Sequence, residues 1–347
     1  MSTSCDWEVE LGVIIGKTGI NISEADAMSH IWGYTVVNDV SWRDLQRRHG
    51  GQWHKGKSLD GTCPMGPCIV TDAKRVIDIP AALGENDSTA TMLGIIRAGT
   101  PMLERLRALA AKPPAQTAAL ADVKLHSPIP RPPKNIFCVG WNYLEHFDEG
   151  AKKLQDNREL PKHPVFFSKV PTTMNGPYDN VPFHSKVSTS MDWEVELGLI
   201  IGSAGIDIPE RDAMAHVFGY TVINDVSWRD LQRRHGGQWH KGKSLDGSCP
   251  MGPWIVTADS IDPDNLRVTC RVNGIVKQDS NTKHLYFKLP RLIAELSAGM
   301  TLEAGDIIST GTPEGVGFAR NPPEFMKPGD LLETEIENIG VMRNPIG

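Results

Sequence analysis

Two glutamates one residue apart are the first candidates for chemistry. They are Glu194 and Glu196, in the strand-like segment MDWEVELGLII. Because side chains alternate across a β-strand, the two carboxylates would share one face, with Trp193 and Val195 on the other. A third acid, Asp225, ends the apolar run GYTVIND and could converge on the pair. Three carboxylates without histidine or cysteine are the ligand set of a hard cation such as Mg²⁺ or Mn²⁺. A solvated strand face without an ion is the alternative.

A histidine and a glutamate in GWNYLEHFDEG form the second candidate group. A helix beginning at Asn142, a good capping residue, would place His146 and Glu149 three residues apart and therefore on one face. A carboxylate bonded to the imidazole would select its tautomer and raise its basicity, which suits a general base near neutral pH. An exposed surface pair is the alternative.

The elements that must position these residues are mostly short strands. NIFCVG is an apolar strand before the histidine motif, and many short strands follow from about residue 160. Asn273-Gly274 and Asn338–Gly340 are turn signals between such strands. One helix is marked by apolar residues at helical spacing, namely Leu289, Leu292, Ile293 and Leu296. Residues 73 to about 111 begin with a short strand and continue as another helix. The pattern predicts a β-rich α+β protein rather than alternating βαβ units.

Composition excludes several classes of partner. The chain has 347 residues, 40% of them apolar, and a net charge of −6 without a basic block. We therefore expect a globular protein that binds neither nucleic acid nor an anionic membrane surface. The opening MSTSCDWEVE has no signal-peptide core, and no apolar run is long enough to span a membrane, which predicts a cytoplasmic protein.

Two segments match the residue pattern of a nucleotide-binding motif. Gly237–Ser244 fits the phosphate-loop pattern, as does Gly51–Ser58. A phosphate loop needs a buried strand before it and a helix after it. Here polar SWRDLQRRHG precedes, and SLDGSCPMGP follows with two glycines and two prolines, which cannot propagate a helix. We therefore expect no nucleotide site.

A long stretch of the chain occurs twice. The residues from Asn38 to Gly61 return unchanged from Asn224 to Gly247, and residues 2–72 differ from residues 188–258 at about fourteen positions. Solenoid arrays need three or more short copies, so two long and distant copies indicate a duplicated piece of a domain.

The motifs taken together resemble the fumarylacetoacetate hydrolase superfamily. They are Glu-x-Glu, a distant Asn-Asp-x-Ser-x-Arg-Asp-x-Gln, Gly-Lys-Ser and Thr-Gly-Thr-Pro-x-Gly-Val-Gly, in that order. The resemblance covers about residues 73–347 and includes a His-x-x-Glu dyad after the turn Gly140–Tyr143. It implies the fold of the family's C-terminal domain, a mixed β-sandwich roll with short helices.

The resemblance also implies a role for each matching residue. The metal ligands would be Glu194, Glu196 and Asp225, holding Mg²⁺ or Mn²⁺. The catalytic residues would be His146, Glu149, Lys169 and Lys243. His146 would deprotonate a water, and the lysines would place positive charge where oxyanions develop. A solvated side chain is the alternative for each lysine. The substrate-binding residues would be Gln232 and Thr312.

The N-terminal region departs from the family, whose members usually open with a small strand-rich segment. Here residues 1–72 are a partial duplicate of the catalytic core, residues 73–126 a remnant of the small subdomain with a linker, and residues 127–347 the catalytic domain. The duplicate keeps Glu8, Glu10, Asp39, Gln46 and Lys57. It has no His-x-x-Glu, PVFFSK or Thr-Gly-Thr-Pro. We therefore expect one working site per chain.

Hypotheses from two function classes remain. The first is an Mg²⁺- or Mn²⁺-dependent hydrolase that cleaves a carbon–carbon bond of a 2,4-dioxo acid such as an acylpyruvate. Its alternative is an oxaloacetate-type decarboxylase, lyase or isomerase of the same superfamily. The other class is a non-catalytic relic or binding protein. The resemblance implies a small 2-oxo acid as substrate and a homodimer.

Overall fold

The structure is a computed structural model, and it describes residues 117–155 and 159–347 without interruption. The other described residues are 5–6, 9–15, 17–38, 41–42, 48, 50, 69–71, 75–77, 79–83 and 91–114. Four residues of the duplicate that matched the site lie outside them, namely Glu8, Asp39, Gln46 and Lys57. Of Glu10 the structure gives only its place in a strand.

Strands are numbered β1 to β20 and helices α1 to α7 in chain order. The strands are Cys5–Asp6, Val9–Ile15, Ile31–Asn38, Ser41–Trp42, Ile69–Thr71, Arg75–Ile77, Ala118–Ala119, Ile136–Gly140, Val165–Lys169, Met174–Asn175, Met191–Asp192, Val195–Ile201, Val217–Asn224, Ser227–Trp228, Cys249–Thr257, Arg267–Val272, Ile275–Asn281, Ile307–Ser309, Leu331–Ile336 and Gly340–Pro345. The helices are Glu24–Ala27, Ile79–Leu83, Met92–Ala111, Leu144–Leu154, Arg229–Arg234, His240–Lys243 and Leu289–Ser297.

Two sheets contain most of the strands after residue 127. The larger sheet has seven strands in the order β10-β15-β13-β12-β18-β8-β9. Its pairs are antiparallel except for β10 with β15 and β18 with β8. The smaller sheet has four antiparallel strands in the order β17-β16-β19-β20. This mixed, sheet-rich arrangement with short helices confirms the predicted α+β fold.

Strand β12 lies in the centre of the larger sheet, and all seven of its residues are buried. Val195, Leu197 and Leu199 belong to the main hydrophobic core. Ile200 belongs to a second core under helix α3. The predicted alternation is therefore confirmed, because one face of β12 packs into the main core and the other carries Glu196. Burial of each such aliphatic side chain contributes on the order of 1.5–3 kcal/mol to folding.

The helix predicted from apolar spacing is also confirmed. It is α7, and the four residues that predicted it are at most 1% exposed: Leu289, Leu292, Ile293 and Leu296. The predicted turn between β16 and β17 has left-handed backbone at both central residues, with φ of 53° at Asn273 and 74° at Gly274. Asparagine and glycine tolerate this conformation, which joins the two strands as a tight hairpin.

The predicted helix start at Asn142 is wrong. Helix α4 begins at Leu144, and Asn142 does not cap it. The Asn142 side chain is fully buried, where it accepts a hydrogen bond from Phe287 N (2.7 Å) and donates to Phe287 O (3.1 Å) and Thr310 O (2.8 Å). Asn142 therefore ties the start of the helix motif to two distant loops, a contact that helix-capping rules do not consider.

The hairpin of the first copy repeats the backbone pairing of the second. In β2 and β3, Val9 opposes Asn38. In β12 and β13, Val195 opposes Asn224. Both hairpins shift register at the same place, between Ile14 and Ile15 and between the equivalent residues of β12. Within the described part of the chain, β2 and β3 pair only with each other, whereas β12 and β13 also pair with β18 and β15.

Among the described helices, none is both long enough and apolar enough to cross a membrane.

Candidate active site

Three buried carboxylates meet beside the central hairpin of the larger sheet. One oxygen from each of Glu194, Glu196 and Asp225 lies within 4.8 Å of the others. Glu194 immediately precedes β12, and Asp225 immediately follows β13. The Asp225 N–H donates to Glu194 O at 2.8 Å, which holds the two chain segments together. The three residues are at most 4% exposed, so the solvated-face alternative is excluded.

Glu196 is held by groups from another part of the chain. Its Oε2 accepts hydrogen bonds from Ser309 Oγ (2.6 Å) and Gly311 N (2.9 Å). Gly311 has a φ of +103°, and a Cβ atom there would lie 2.7 Å from Asn142 Cβ. Glycine is therefore required at residue 311 both for its backbone conformation and for the close approach. The Thr-Gly-Thr-Pro loop thus fixes one carboxylate of the cluster.

Both predicted lysines are buried against these carboxylates. Lys243 Nζ donates to Glu194 Oε2 and to Asp225 Oδ2, each at 2.6 Å. Lys169 Nζ lies 2.8 Å from Asp225 Oδ1 and donates to Val226 O at 3.0 Å. Neither side chain is more than 2% exposed, which excludes the solvated alternative for both.

Charge is distributed unevenly over the three acids. Burial raises the pKa of Glu194, but the adjacent Lys243 and Arg229 outweigh it and lower the pKa to about 2. Burial, followed by repulsion from Asp225 and Glu194, raises the pKa of Glu196 well above its usual value. Among the described residues Glu196 makes no ion pair, so it is the carboxylate whose repulsion a bound cation would relieve most.

The donors fit a hard divalent ion. They are carboxylate oxygens only, and their spacing suits an ion that takes oxygen ligands at about 2.0–2.6 Å. The contact between Lys169 and Asp225 Oδ1 is an ion pair without hydrogen-bond geometry, so this buried oxygen has no hydrogen-bond donor among the described residues. Such an oxygen can accept a metal ion without losing an existing hydrogen bond.

The histidine motif forms a bonded pair on helix α4. His146 Nδ1 lies 2.8 Å from Glu149 Oε1, and because a carboxylate only accepts, Nδ1 donates. Gly315 N donates to Glu149 Oε2 at 3.0 Å, which anchors the carboxylate from the opposite side. His146 is 6% exposed, so the pair is not a surface ion pair. The arrangement leaves Nε2 as the unprotonated ring nitrogen of a neutral His146.

One cavity of about 310 Å³ joins these groups. Six of the nine predicted site residues line it, namely His146, Glu194, Glu196, Gln232, Lys243 and Thr312. The other three support them from behind, since Glu149 bonds His146 while Lys169 and Asp225 lie in the buried cluster. Gly50 of the first copy also lines the cavity.

The two predicted substrate-binding residues are themselves held in place. Gln232 Oε1 accepts from Arg229 Nη1 at 3.3 Å. Thr312 Oγ1 accepts from Gln278 Nε2 at 2.8 Å, which leaves the hydroxyl hydrogen available as a donor.

The lysine of the phosphate-loop pattern is Lys243, which ends the short helix α6. It is bonded to two carboxylates and does not precede a helix that could receive a phosphate.

Three polar residues beyond those predicted from the sequence support the site. Arg229 bridges Asp192 Oδ2 and Glu194 Oε1, at 2.7 Å each. Gln278 accepts from Val195 N at 3.0 Å. Asp192 accepts hydrogen bonds from Gly317 N (2.7 Å) and Phe318 N (3.0 Å), which keep it outside the triad. The sequence offered a signal for the role of Arg229, because this residue lies four residues after Asp225. It offers no such signal for Gln278.

Comparison with known proteins identifies the family. The profile described as "Fumarylacetoacetate (FAA) hydrolase C-terminal" matches residues 1–88 and 135–347. The chain belongs to this family. The match confirms the resemblance and also assigns the first copy to the same domain type.

Three relatives illustrate the range of activities in this family. The chain is 48% identical over 230 residues to oxaloacetate tautomerase YisK of Bacillus subtilis, covering 66% of this chain and 75% of that one. It is 45% identical over 336 residues to the mitochondrial oxaloacetate tautomerase FAHD2B of Bos taurus, covering 96% and 100%. A solved maleylpyruvate hydrolase from Sphingobium is 30% identical with a TM-score of 0.66, covering 80% and 95%. The prediction of an enzyme is confirmed.

The first copy should not form a second metal site. Ser309 and Gly311, which hold Glu196, have Val123 and Leu125 at the equivalent offset, and Lys169 lies before the repeated segment, which begins at Ser188. We expect the double change Glu8→Ala and Glu10→Ala to keep the turnover number within about twofold, because substitutions away from a supported site usually shift stability by under about 0.5 kcal/mol.

Calorimetric titration of the parent and the double variant should give one divalent ion per chain in both proteins. Two equivalent ions in the parent, with one lost in the variant, would make the repeat a second site.

Proposed function

We propose that this enzyme interconverts the keto and enol forms of an oxaloacetate-type 2-oxo acid, assisted by a divalent ion. The observation that carries the proposal is a single cavity lined by both a carboxylate-supported imidazole and two carboxylates of a metal-binding triad. Tautomerisation needs only these two functions, a base beside C3 and a polariser of the 2-oxo group. The tautomerases among the relatives support this assignment over the hydrolysis favoured by the sequence analysis.

The triad would hold the ion. Glu194, Glu196 and Asp225 supply oxygen ligands suited to Mg²⁺ or Mn²⁺. When bound, the ion supplies a Lewis acid that polarises the 2-oxo group and lowers the cost of negative charge on its oxygen.

His146 would carry the proton. Nδ1 donates to Glu149, so Nε2 is free to remove a proton from C3 of the keto acid. The C3–H electron pair forms the C2–C3 double bond, the carbonyl π pair moves to the C2 oxygen, and that oxygen takes the proton that His146 removed from C3. The reverse sequence converts enol to ketone, and no atom is gained or lost.

Buried cations would stabilise the developing oxyanion. Lys243 lines the cavity and carries its charge at the inner end, beside Glu194 and Asp225. One terminal nitrogen of Arg229 has no hydrogen-bond partner among the described residues, although it is buried. Donors preorganised in a buried site stabilise developing charge without reorganising. Thr312 and Gln232 would orient the adjacent substrate carboxylate through their polar side-chain groups.

Hydrolysis of a 2,4-dioxo acid is the second candidate, and the structural likeness to a maleylpyruvate hydrolase favours it. In that reaction His146 would deprotonate a water that attacks the distal carbonyl. The bond between C3 and C4 would break, giving a carboxylic acid and the enol of pyruvate. Decarboxylation of oxaloacetate is a third outcome at the same cavity. The identity of the ion, the homodimer and the cytoplasmic location stay predictions.

A panel of substrates separates the candidates. With Mg²⁺ or Mn²⁺ present, we expect the enol of oxaloacetate to lose its ultraviolet absorbance faster than in buffer, without release of carbon dioxide. EDTA should return the rate to that of buffer. Faster release of pyruvate from an acylpyruvate than conversion of the enol would instead favour the hydrolase.

A further inference from the structure

We propose that Arg233 binds the second carboxylate of a dicarboxylic 2-oxo acid, and that this contact makes the enzyme prefer substrates with an anionic group at both ends. The inference rests on the proposed function, which places the first carboxylate and the 2-oxo group at the carboxylate triad. It adds the residue that recognises the other end of the substrate.

Helix α5 turns one face toward the cavity. Arg229, Gln232 and Arg233 stand at positions i, i+3 and i+4, which lie on one side of a helix, and all three line the cavity. Arg234 falls on a different side, where its Nη2 donates to Asp230 Oδ2 at 3.1 Å. The two adjacent arginines therefore have different environments, and of the two only Arg233 can contact a substrate in the cavity.

Arg233 differs in its charge pairing from Arg229 and Lys243, which also line the cavity. Arg229 is paired with Asp192 and Glu194. Lys243 is paired with Glu194 and Asp225. Among the residues that the structure describes, Arg233 makes no ion pair. A guanidinium group at a cavity without a protein counter-ion is suited to an anionic ligand, and its planar fork matches a carboxylate in particular.

The position of Arg233 suits the far end of a short substrate. The ring of Phe318 contacts two guanidinium groups, with its centroid 4.6 Å from Cζ of Arg229 and 6.0 Å from Cζ of Arg233. Arg229 is 7% exposed and touches the triad, whereas Arg233 is exposed. The cavity thus runs from a buried metal-binding end, past Phe318, to a cationic mouth.

An aromatic tail is the competing ligand chemistry for this end of the cavity. Trp141, Phe167 and Trp239 line the cavity as well. Their rings already pack edge-on against one another, with centroids 4.8 Å apart for Trp141 and Trp239 and 5.3 Å apart for Phe167 and Trp239. These contacts account for the aromatic cluster as packing, whereas the unmatched charge of Arg233 has no such explanation. Phenylpyruvate, a monocarboxylic 2-oxo acid with an aromatic tail, is therefore the informative comparison substrate.

Binding to the Mg²⁺-loaded chain tests the inference without turnover. Oxalate imitates the metal-binding end of the substrate alone. 3,3-Difluorooxaloacetate adds the distal carboxylate and cannot enolise, because it has no C3 proton. We expect Arg233→Met to weaken binding of the difluoro acid by roughly tenfold, the worth of one charge-assisted contact near solvent, and to change oxalate binding by less than about twofold.

Two further variants control for non-specific effects. Arg234→Met removes a neighbouring arginine from the other side of the helix and should leave both affinities unchanged. Arg233→Lys should recover part of the loss, because it keeps the charge but not the planar fork.

Kinetics give the second readout. Arg233→Met should raise KM for oxaloacetate by roughly tenfold with little change in kcat, and should leave KM for phenylpyruvate within about twofold. Equal losses for oxalate and the difluoro acid, or an unchanged KM for oxaloacetate, would overturn the inference. Selective loss of difluoro acid binding in a protein without tautomerase activity would support Arg233 as the carboxylate contact and reject the proposed reaction instead.

Discussion

The Glu196→Ala protein should bind no divalent ion and should convert the enol of oxaloacetate no faster than buffer. Glu196 is one of three ligands, and Ser309 and Gly311 hold it in position. Removing it leaves two carboxylates that already share Lys243, so the remaining donors are largely neutralised. Calorimetric titration with Mg²⁺ and Mn²⁺, followed by the enol assay on the same sample, measures both losses.

The repeat supplies a matched control for this variant. Glu10 is the residue equivalent to Glu196 in the first copy, so Glu10→Ala makes the same chemical change in the same local sequence. It should leave ion binding and turnover unchanged.

The Glu196→Ala change removes the carboxylate that accepts the hydrogen bond from the Gly311 N–H. Leaving that buried N–H without an acceptor costs about 1–3 kcal/mol of folding free energy, so circular dichroism should verify that the variant is folded. Glu196→Gln keeps an acceptor there and should still lose the ion. Full activity of a folded Glu196→Ala protein in metal-free buffer would contradict the metal mechanism.

The His146→Ala protein should keep its metal affinity and turn over roughly 10²- to 10⁴-fold more slowly, the usual effect of losing a positioned acid–base group. His146 lines the cavity but is not a member of the carboxylate triad. Its hydrogen bond to Glu149 orients the ring without contributing to the ion site. The enol assay and calorimetric titration separate the two properties.

A second histidine–glutamate pair controls for the loss of such a pair in general. His163 Nδ1 lies 3.0 Å from Glu295 Oε1, with the histidine side chain 32% exposed, and His163 does not line the cavity. We expect His163→Ala to retain activity within about twofold, as most surface substitutions do. A loss below tenfold in His146→Ala would remove His146 from the mechanism.

Local periodicity explains why the sequence analysis located much of the site. Alternation along MDWEVELGLII placed Glu194 and Glu196 on the face opposite Val195, and the structure has that arrangement. Helical spacing placed His146 next to Glu149, which are 2.8 Å apart. These relations depend on neighbours within four residues, so they can be predicted from the order of the residues alone.

Long-range contacts were not accessible in the same way. Gln278 reaches Val195 across 83 residues, and Asn142 reaches Phe287 across 145. The two lysines were expected to face the substrate. Their ion pairs with the carboxylates of the triad form only when the strands assemble. Composition and spacing contain no information on which distant loop will satisfy a buried amide or ammonium group, because many pairings satisfy the same hydrogen-bonding requirement.

The repeated sequence is not expected to form a second site. The hairpin β2–β3 has the backbone pairing of β12–β13, including the shift in register. Lys243 and Arg229 lie inside the repeated segment, but three other groups that hold the second copy's carboxylates lie outside it, at Lys169, Ser309 and Gly311. We therefore expect a metal site to need the completed roll and not only the hairpin that carries its ligands.

One titration tests the central claim, that a single ion at Glu194, Glu196 and Asp225 is required for tautomerisation. Mn²⁺ is added in steps to metal-free protein. Free Mn²⁺ is followed by its electron paramagnetic resonance signal, and enol conversion is measured on each sample. We predict that activity rises in proportion to bound Mn²⁺ and reaches its plateau at one ion per chain. Full activity before any ion is bound, or a plateau at two ions per chain, would contradict the claim.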